Sequence, residues 1–357
     1  MPPLARLPLL VLGFLGLFAG IGAGLARLGW SVPDIAASAS AMHGPLMICA
    51  FFGVVISLER AVAIGRLWAY SGSLFAGLGG LATAAGAESV ASWLFLLASV
   101  VLLAATLDVL RRQPAMFTFT LTLGALCWST GNALWVQGAT VHAVAPWWLA
   151  FLILTIAGER LELSRFLPPS PFARRAFALI LATVSAGLLG AATAWGPPLF
   201  GGGLFALALW LGKQDIARRT VRGKGLTRFI AVCLLSGYAW LAVGGAVIVA
   251  TGGLVPGSPS YDAALHALGL GFVFAMVFGH APIIFPAVLR VAVPYHPTFY
   301  LPLAVLHLSL VVRLAGDATA RFDWVRIGGA LNALALAAFI ASTAGAVARG
   351  WRRTTPG

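Results

Sequence analysis

The chain alternates long apolar runs with short breaks at glycine, proline or charge. The breaks delimit segments at roughly 8–28, 41–65, 67–87, 90–110, 116–137, 143–165, 173–195, 197–213, 228–253, 262–290, 298–316 and 325–348. A spanning helix needs about 20 mostly apolar residues. The pattern therefore predicts an all-α, polytopic membrane protein of about 12 transmembrane helices, the eighth of them short. One frame occurs twice. "MHGPLMICAFFGVVISLER", residues 42–60, begins at His43 and closes on Glu59-Arg60. "VHAVAPWWLAFLILTIAGER", residues 141–160, begins at His142 and closes on Glu159-Arg160.

Composition excludes a soluble domain: 60% of the 357 residues are hydrophobic and 9% charged, against about 25% charged in soluble proteins. The net charge of +13 has a topological explanation. With the N-terminus inside, only Arg27, Arg313, Arg321 and Arg326 of the 23 Lys and Arg fall on the outer side. The positive-inside rule then supports twelve spans in the cytoplasmic (inner) membrane, with both termini cytoplasmic. The basic stretch "KQDIARRTVRGKGLTR", 213–228, is expected on anionic lipid headgroups, and nucleic acid is not expected as a partner. The first segment lacks a clear small-residue cleavage site and is read as a retained helix. Cys49, Cys127 and Cys233 lie in separate apolar segments without CxxC spacing. They are read as small buried hydrophobes rather than disulfides or a zinc site. The organisation expected is one integral membrane domain over 1–357.

The histidines suggest internal order. Even-numbered helices run from outside to inside, so His43, His142 and His266 sit near the outer ends of helices 2, 6 and 10. Four helices separate each from the next. This predicts a pseudo-threefold arrangement of four-helix units, with repeats at 1–110, 111–213 and 228–349. Helix 10 departs from the frame: it lacks the Glu and ends at Arg290. His280 lies about 21 Å deeper than His266 at 1.5 Å per residue, His307 falls near the middle of helix 11, and His296 sits in an inner turn.

Two readings of these side chains stand side by side. A histidine at a helix end is wetted by the headgroup region, and one inside the bilayer can be a hydrogen-bonded structural residue. Alternatively, His43, His142, His266, His280 and His307 are metal-ligand candidates, because neutral imidazole is the commonest protein metal ligand and intramembrane ionisable groups are usually functional. Helical bundles hold haem between imidazoles of facing helices. His43 and His266, flanked by Gly44, Gly269 and Gly271, are the pair expected to clamp it. Arg313, Arg321 and Arg326 match the two propionates by their forked geometry; the alternative is pairing with Asp317 and Asp323. The Glu-Arg pairs are either interfacial anchors at the inner rim or ion-paired struts between neighbouring repeats, with Glu59 or Glu159 bonding to a facing helix.

Twelve helices, a pseudo-threefold arrangement and histidines on helices 2, 6 and 10 resemble the haem-copper oxidase subunit I superfamily. "HGPLMICAFF" looks like the helix 2 segment that carries an axial ligand of the low-spin haem. The resemblance implies His43 and His266 as ligands of that haem, and Arg313, Arg321 and Arg326 against its propionates. Length and sparse histidines resemble NnrS-like proteins more closely still, which implies haem, copper and a link to nitric oxide. Helix 7, "FARRAFALILATVSAGLLGAATAW", has no histidine, and the helix 10 pair is widely spaced. The resemblance therefore does not extend to a three-histidine copper site or to dioxygen reduction.

Three functions follow as expectations. The first is a haem-binding redox or nitric-oxide-related membrane protein. The second is a polytopic solute transporter, which also suits twelve spans with inner termini. The third is a haem or copper handling protein without turnover. No Walker loop or dinucleotide fingerprint is present, and "GLGG" at 77–80 is read as helix packing.

Overall fold

The computed structural model describes residues 1–163 and 169–354. Among them no strand occurs. The long helical segments are α1 (Pro3–Arg27), α2 (Ser40–Ile64), α3 (67–84), α4 (Glu88–Arg112), α5 (Met116–Val136), α6 (Val141–Leu163), α7 (Pro171–Leu189), α8 (Gly196–Gln214), α9 (Gly225–Thr251), α10 (Pro259–Leu289), α11 (Pro297–Ala318) and α12 (Phe322–Thr354). Each overlaps one segment expected from the apolar pattern. The expected end of the sixth segment, with Arg165, lies outside the described residues.

Nine of these helices are long and apolar enough to cross a membrane: α1, α2, α4, α6, α7 and α9 to α12. The protein is thus all-helical with a multi-pass character. The others are helical but diluted in apolar content. Glycine and serine dilute α3, Thr118, Thr120, Thr122, Ser129 and Asn132 dilute α5, and prolines and glycines dilute α8. Helix is the form such segments take in lipid, because every backbone N–H and C=O must be satisfied within the segment.

The chain divides into two compact units. Unit 1 comprises residues 1–159 and 287–290; unit 2 comprises 160–286 and 291–357. The division falls inside α6 and again inside α10.

Small residues set the packing of unit 1. Gly16, Gly20 and Gly24 repeat every four residues along α1 and form one stripe. A Cβ on Gly16 would lie 2.8 Å from the Ala50 methyl, one on Gly20 2.6 Å from Met47 Sδ, and one on Gly24 2.9 Å from the His43 ring. The stripe therefore lets α2 approach the α1 backbone, the usual device where lipid gives helices no hydrophobic reason to associate. Deeper in the unit, Trp128 of α5 stacks on Phe151 of α6 with centroids 4.7 Å apart. Asn132 is buried here and fully engaged. Its Nδ2 donates to Phe95 O (2.9 Å), while Oδ1 accepts from Trp148 Nε1 (3.0 Å) and the Cys49 thiol (3.6 Å). Cys49, Cys127 and Cys233 are all buried free thiols, as expected.

Unit 2 uses the same device. Gly201 of α8 and Gly245 of α9 face each other, each leaving room for the other's carbonyl oxygen. Gly328 of α12 clears the backbone of Arg313 on α11; a Cβ there would lie 2.7 Å from the Arg313 Cβ. Asn332 reaches back across the same pair, donating to Ser309 Oγ at 2.6 Å.

Candidate functional site

Three polar clusters lie among the apolar helices. The first belongs to unit 1. His43 sits at the start of α2, half-buried against the glycine stripe of α1. Its Nδ1 lies 2.7 Å from Gly20 O. A carbonyl oxygen only accepts, so Nδ1 carries a proton and donates to it. Immediately beyond, Leu46–Phe52 form seven residues of π-helix. Such stretches are rare and concentrate at functional sites.

The second cluster belongs to unit 2 and centres on His266 of α10. Its Nδ1 lies 2.8 Å from Asp262 O and 3.2 Å from Asp262 Oδ1. Here too Nδ1 carries a proton and donates. Arg313 of α11 holds the Asp262 carboxylate in a two-point fork, Nε to Oδ2 at 2.7 Å and Nη2 to Oδ1 at 2.8 Å. The Arg313 side chain is 8% exposed. Here too the histidine precedes a π-helical stretch, the eight residues Ala267–Phe274. The glycines once expected to admit a macrocycle differ. A Cβ on Gly269 would meet nothing within 4 Å, and one on Gly44 only Val141 at 3.7 Å, whereas Gly271 is covered by the Trp240 indole.

The third cluster, also in unit 2, is an ion-paired network. Arg160, near the end of α6, forks onto Asp215 just past α8, Nε to Oδ2 at 2.8 Å and Nη2 to Oδ1 at 3.1 Å. Tyr238 Oη donates to Asp215 Oδ2 at 2.6 Å, and the Ala217 amide donates to Oδ1 at 2.7 Å. Burial by itself would raise the Asp215 carboxyl. The hydrogen bonds and charge of Arg160, with Tyr238 and the Ala217 amide, instead hold it below the ordinary carboxylate range. His280 completes the network. Its Nδ1–H donates to Met276 O at 2.7 Å, and its Nε2 accepts from Arg160 Nη1 at 3.2 Å.

These contacts sort the candidate ligands. His280 uses its lone pair on Arg160. His307 is bonded through both nitrogens: Nδ1 accepts from Trp240 Nε1 at 2.9 Å, and Nε2–H donates to Ser236 Oγ at 2.9 Å. Both therefore take the hydrogen-bonded structural role rather than the metal-ligand role. His142 is the second residue of α6 and half-buried, but an ordinary α-helix follows it instead of a π-helix. Arg313 belongs to Asp262, not to Asp317 or Asp323, and its fork is already filled. Arg321 lies exposed over the Trp324 ring, 5.4 Å from the centroid, and Arg326 is half-buried on α12. Arg160 is no interfacial anchor: at 5% exposure it is buried in an ion pair with Asp215, a partner the sequence reading did not consider.

Sequence reasoning missed Asp215 and Asp262. Asp215 sits among lysine and arginine in a loop that looked wholly interfacial. Asp262 lies four residues before His266, a helical contact spacing that could have flagged it. Among the described residues no group of three or more His, Cys, Asp or Glu side chains is placed to hold a metal ion. In His43 and His266 alike the Nδ1–H is held by a backbone carbonyl, an outer-shell bond of the kind that orients metal-ligating histidines.

A family model described as a domain of unknown function, DUF8744, matches residues 6–348. The chain belongs to that family. No curated protein matches it.

Proposed function

We propose that this DUF8744 protein is a haem-binding redox protein of the cytoplasmic membrane, with His43 and His266 as the iron ligands. The observation that carries the reading is shared by these two histidines. Each has its Nδ1–H tied to a backbone carbonyl, and each is followed by a π-helical stretch. Outer-shell bonds of this kind fix the ligating tautomer of metal-bound histidines. A histidine-held haem would supply one-electron transfer.

The same reading includes twelve spans with both termini cytoplasmic, in pseudo-threefold order, and an NnrS-like relationship. Helices at 67–84, Met116–Val136 and Gly196–Gln214 support the span count, and the inner bias of lysine and arginine supports the orientation.

Haem extraction from detergent-purified protein, with iron quantified per chain, tests the proposal. At least one haem per chain is the expected result. Carbon monoxide and nitric oxide titrations of the reduced protein then report whether an imidazole is displaced. A colourless, metal-free protein after haem-supplemented expression would overturn the reading and leave transport, tested by solute uptake in liposomes, as the next one.

A further inference from the structure

The connection from α8 to α9 carries six cations between residues 213 and 228. They are Lys213, Arg218, Arg219, Arg222, Lys224 and Arg228, and all are exposed. The one acidic residue in this stretch, Asp215, is buried, and its charge is met from inside by the Arg160 fork. Among the described residues no carboxylate pairs with any of the six cations. The protein itself therefore leaves the surface charge of this connection unbalanced.

The same aspartate shapes the connection. Its Oδ1 accepts the Ala217 amide at 2.7 Å, and its Oδ2 accepts the Tyr238 hydroxyl at 2.6 Å. The helical turn Ala217–Thr220 starts there, with Ala217 fully buried and Arg218 and Arg219 outside. Arg218 Nη1 donates to Lys213 O at 3.2 Å and folds the turn back on the end of α8. Depth is marked by Phe229 in the first turns of α9. It packs with Phe299, Tyr295 and Tyr300 at centroid distances of 5.8, 6.3 and 5.1 Å, and tyrosine is enriched at the headgroup level. Residues 215–224 would reach about 17 Å out and back if fully extended, and the helical turn shortens that. The cations stay beside the headgroups instead of reaching into the aqueous phase.

We propose that this connection is a preformed docking surface for anionic phospholipid headgroups, with Asp215 as the anchor that holds its shape. Each Lys or Arg near an anionic membrane surface strengthens attachment about fivefold. A surface already folded pays less to order its side chains on binding. Nothing in this inference depends on the haem reading.

The test uses the full chain in phosphatidylcholine nanodiscs with trace spin-labelled phosphatidylglycerol or phosphatidylcholine. The ratio of protein-bound to free label gives the preference for the anionic lipid. Wild type should prefer phosphatidylglycerol by about fivefold or more at low salt. Arg218→Gln, Arg219→Gln, Arg222→Gln and Lys224→Gln together should remove most of that preference. Arg66→Gln, Arg111→Gln, Arg174→Gln and Arg175→Gln together remove four exposed cations from elsewhere and should leave most of it. No preference in wild type, as expected if a soluble acidic partner reads these charges, overturns the proposal. So does an equal fall in both fourfold variants, which would make the charge generic. The anchor is tested by Arg160→Met with Asp215→Leu, which keeps all six cations but frees the turn. Its preference should fall about twofold or more; a wild-type value overturns the role of Asp215. Tyr238→Phe, a milder release of the same carboxylate, serves if the double variant fails to fold.

Discussion

His43 and His280 make the same local bond. Each donates Nδ1–H to a backbone carbonyl at 2.7 Å. Their surroundings give that bond two different meanings. His280 meets a guanidinium, and Arg160 takes its Nε2 lone pair while also gripping Asp215. His43 rests on a floor of glycines and leads into a π-helix. A histidine inside a membrane bundle is thus not assigned by depth or by its nearest bond. For His280, the guanidinium at its second nitrogen makes it part of the frame.

The largest effect expected from breaking this comparison lies on the frame side. Arg160→Met leaves the Asp215 carboxylate buried without its cation, and removing one partner of a buried pair costs about 3–5 kcal/mol. Thermal unfolding in detergent should show a large fall for Arg160→Met. The double variant Arg160→Met with Asp215→Leu should recover much of the loss, since a buried pair replaced by apolar groups is often neutral. The same network gives a pH dependence. The folded state holds Asp215 below the ordinary carboxylate range, so its contribution is complete at neutral pH. It is lost as pH falls below that range, through the folded-state value. Stability measured at falling pH should drop in wild type, and the drop should flatten in the double variant.

A smaller effect is expected at His307. His307→Phe leaves the Trp240 indole N–H without its acceptor, which costs about 1–3 kcal/mol. Its haem content should stay at the wild-type level; loss of haem there would move His307 from the frame to the ligands. Smallest is Gly24→Ala. Its new Cβ would lie 2.9 Å from the His43 ring, tighter than ordinary contact, so the ring shifts by a few tenths of an ångström. Overall stability should change little, while any low-spin haem signal should shift or broaden. Gly202→Ala, where a Cβ meets nothing within 4 Å, is the matched control.

Much of the helical layout was legible in the sequence because lipid admits few alternatives: apolar runs of the right length become helices. Three features were not. The π-helices after His43 and His266 leave no trace in hydropathy, since they alter backbone register and not residue type. The Arg313–Asp262 pair joins residues 51 apart in sequence, and only the packing of α11 on α10 makes them neighbours; the nearer Asp317 and Asp323 drew attention instead. Asp215 was hidden by its own charged surroundings, although one of only ten acidic residues standing in a basic loop was itself a signal. The glycine stripe of α1 was readable throughout as Gly16, Gly20 and Gly24. Its purpose emerged only when the Gly20 carbonyl was found under His43.

The most direct test of the central claim is the oxidised and reduced visible spectrum of the purified protein, alone and with His43→Ala, His266→Ala and His307→Phe. The account predicts a Soret band with sharp reduced α-bands in wild type and in His307→Phe. The low-spin signal should weaken or disappear in each of the other two. A haem spectrum untouched by His43→Ala and His266→Ala, or destroyed by His307→Phe alone, would contradict it.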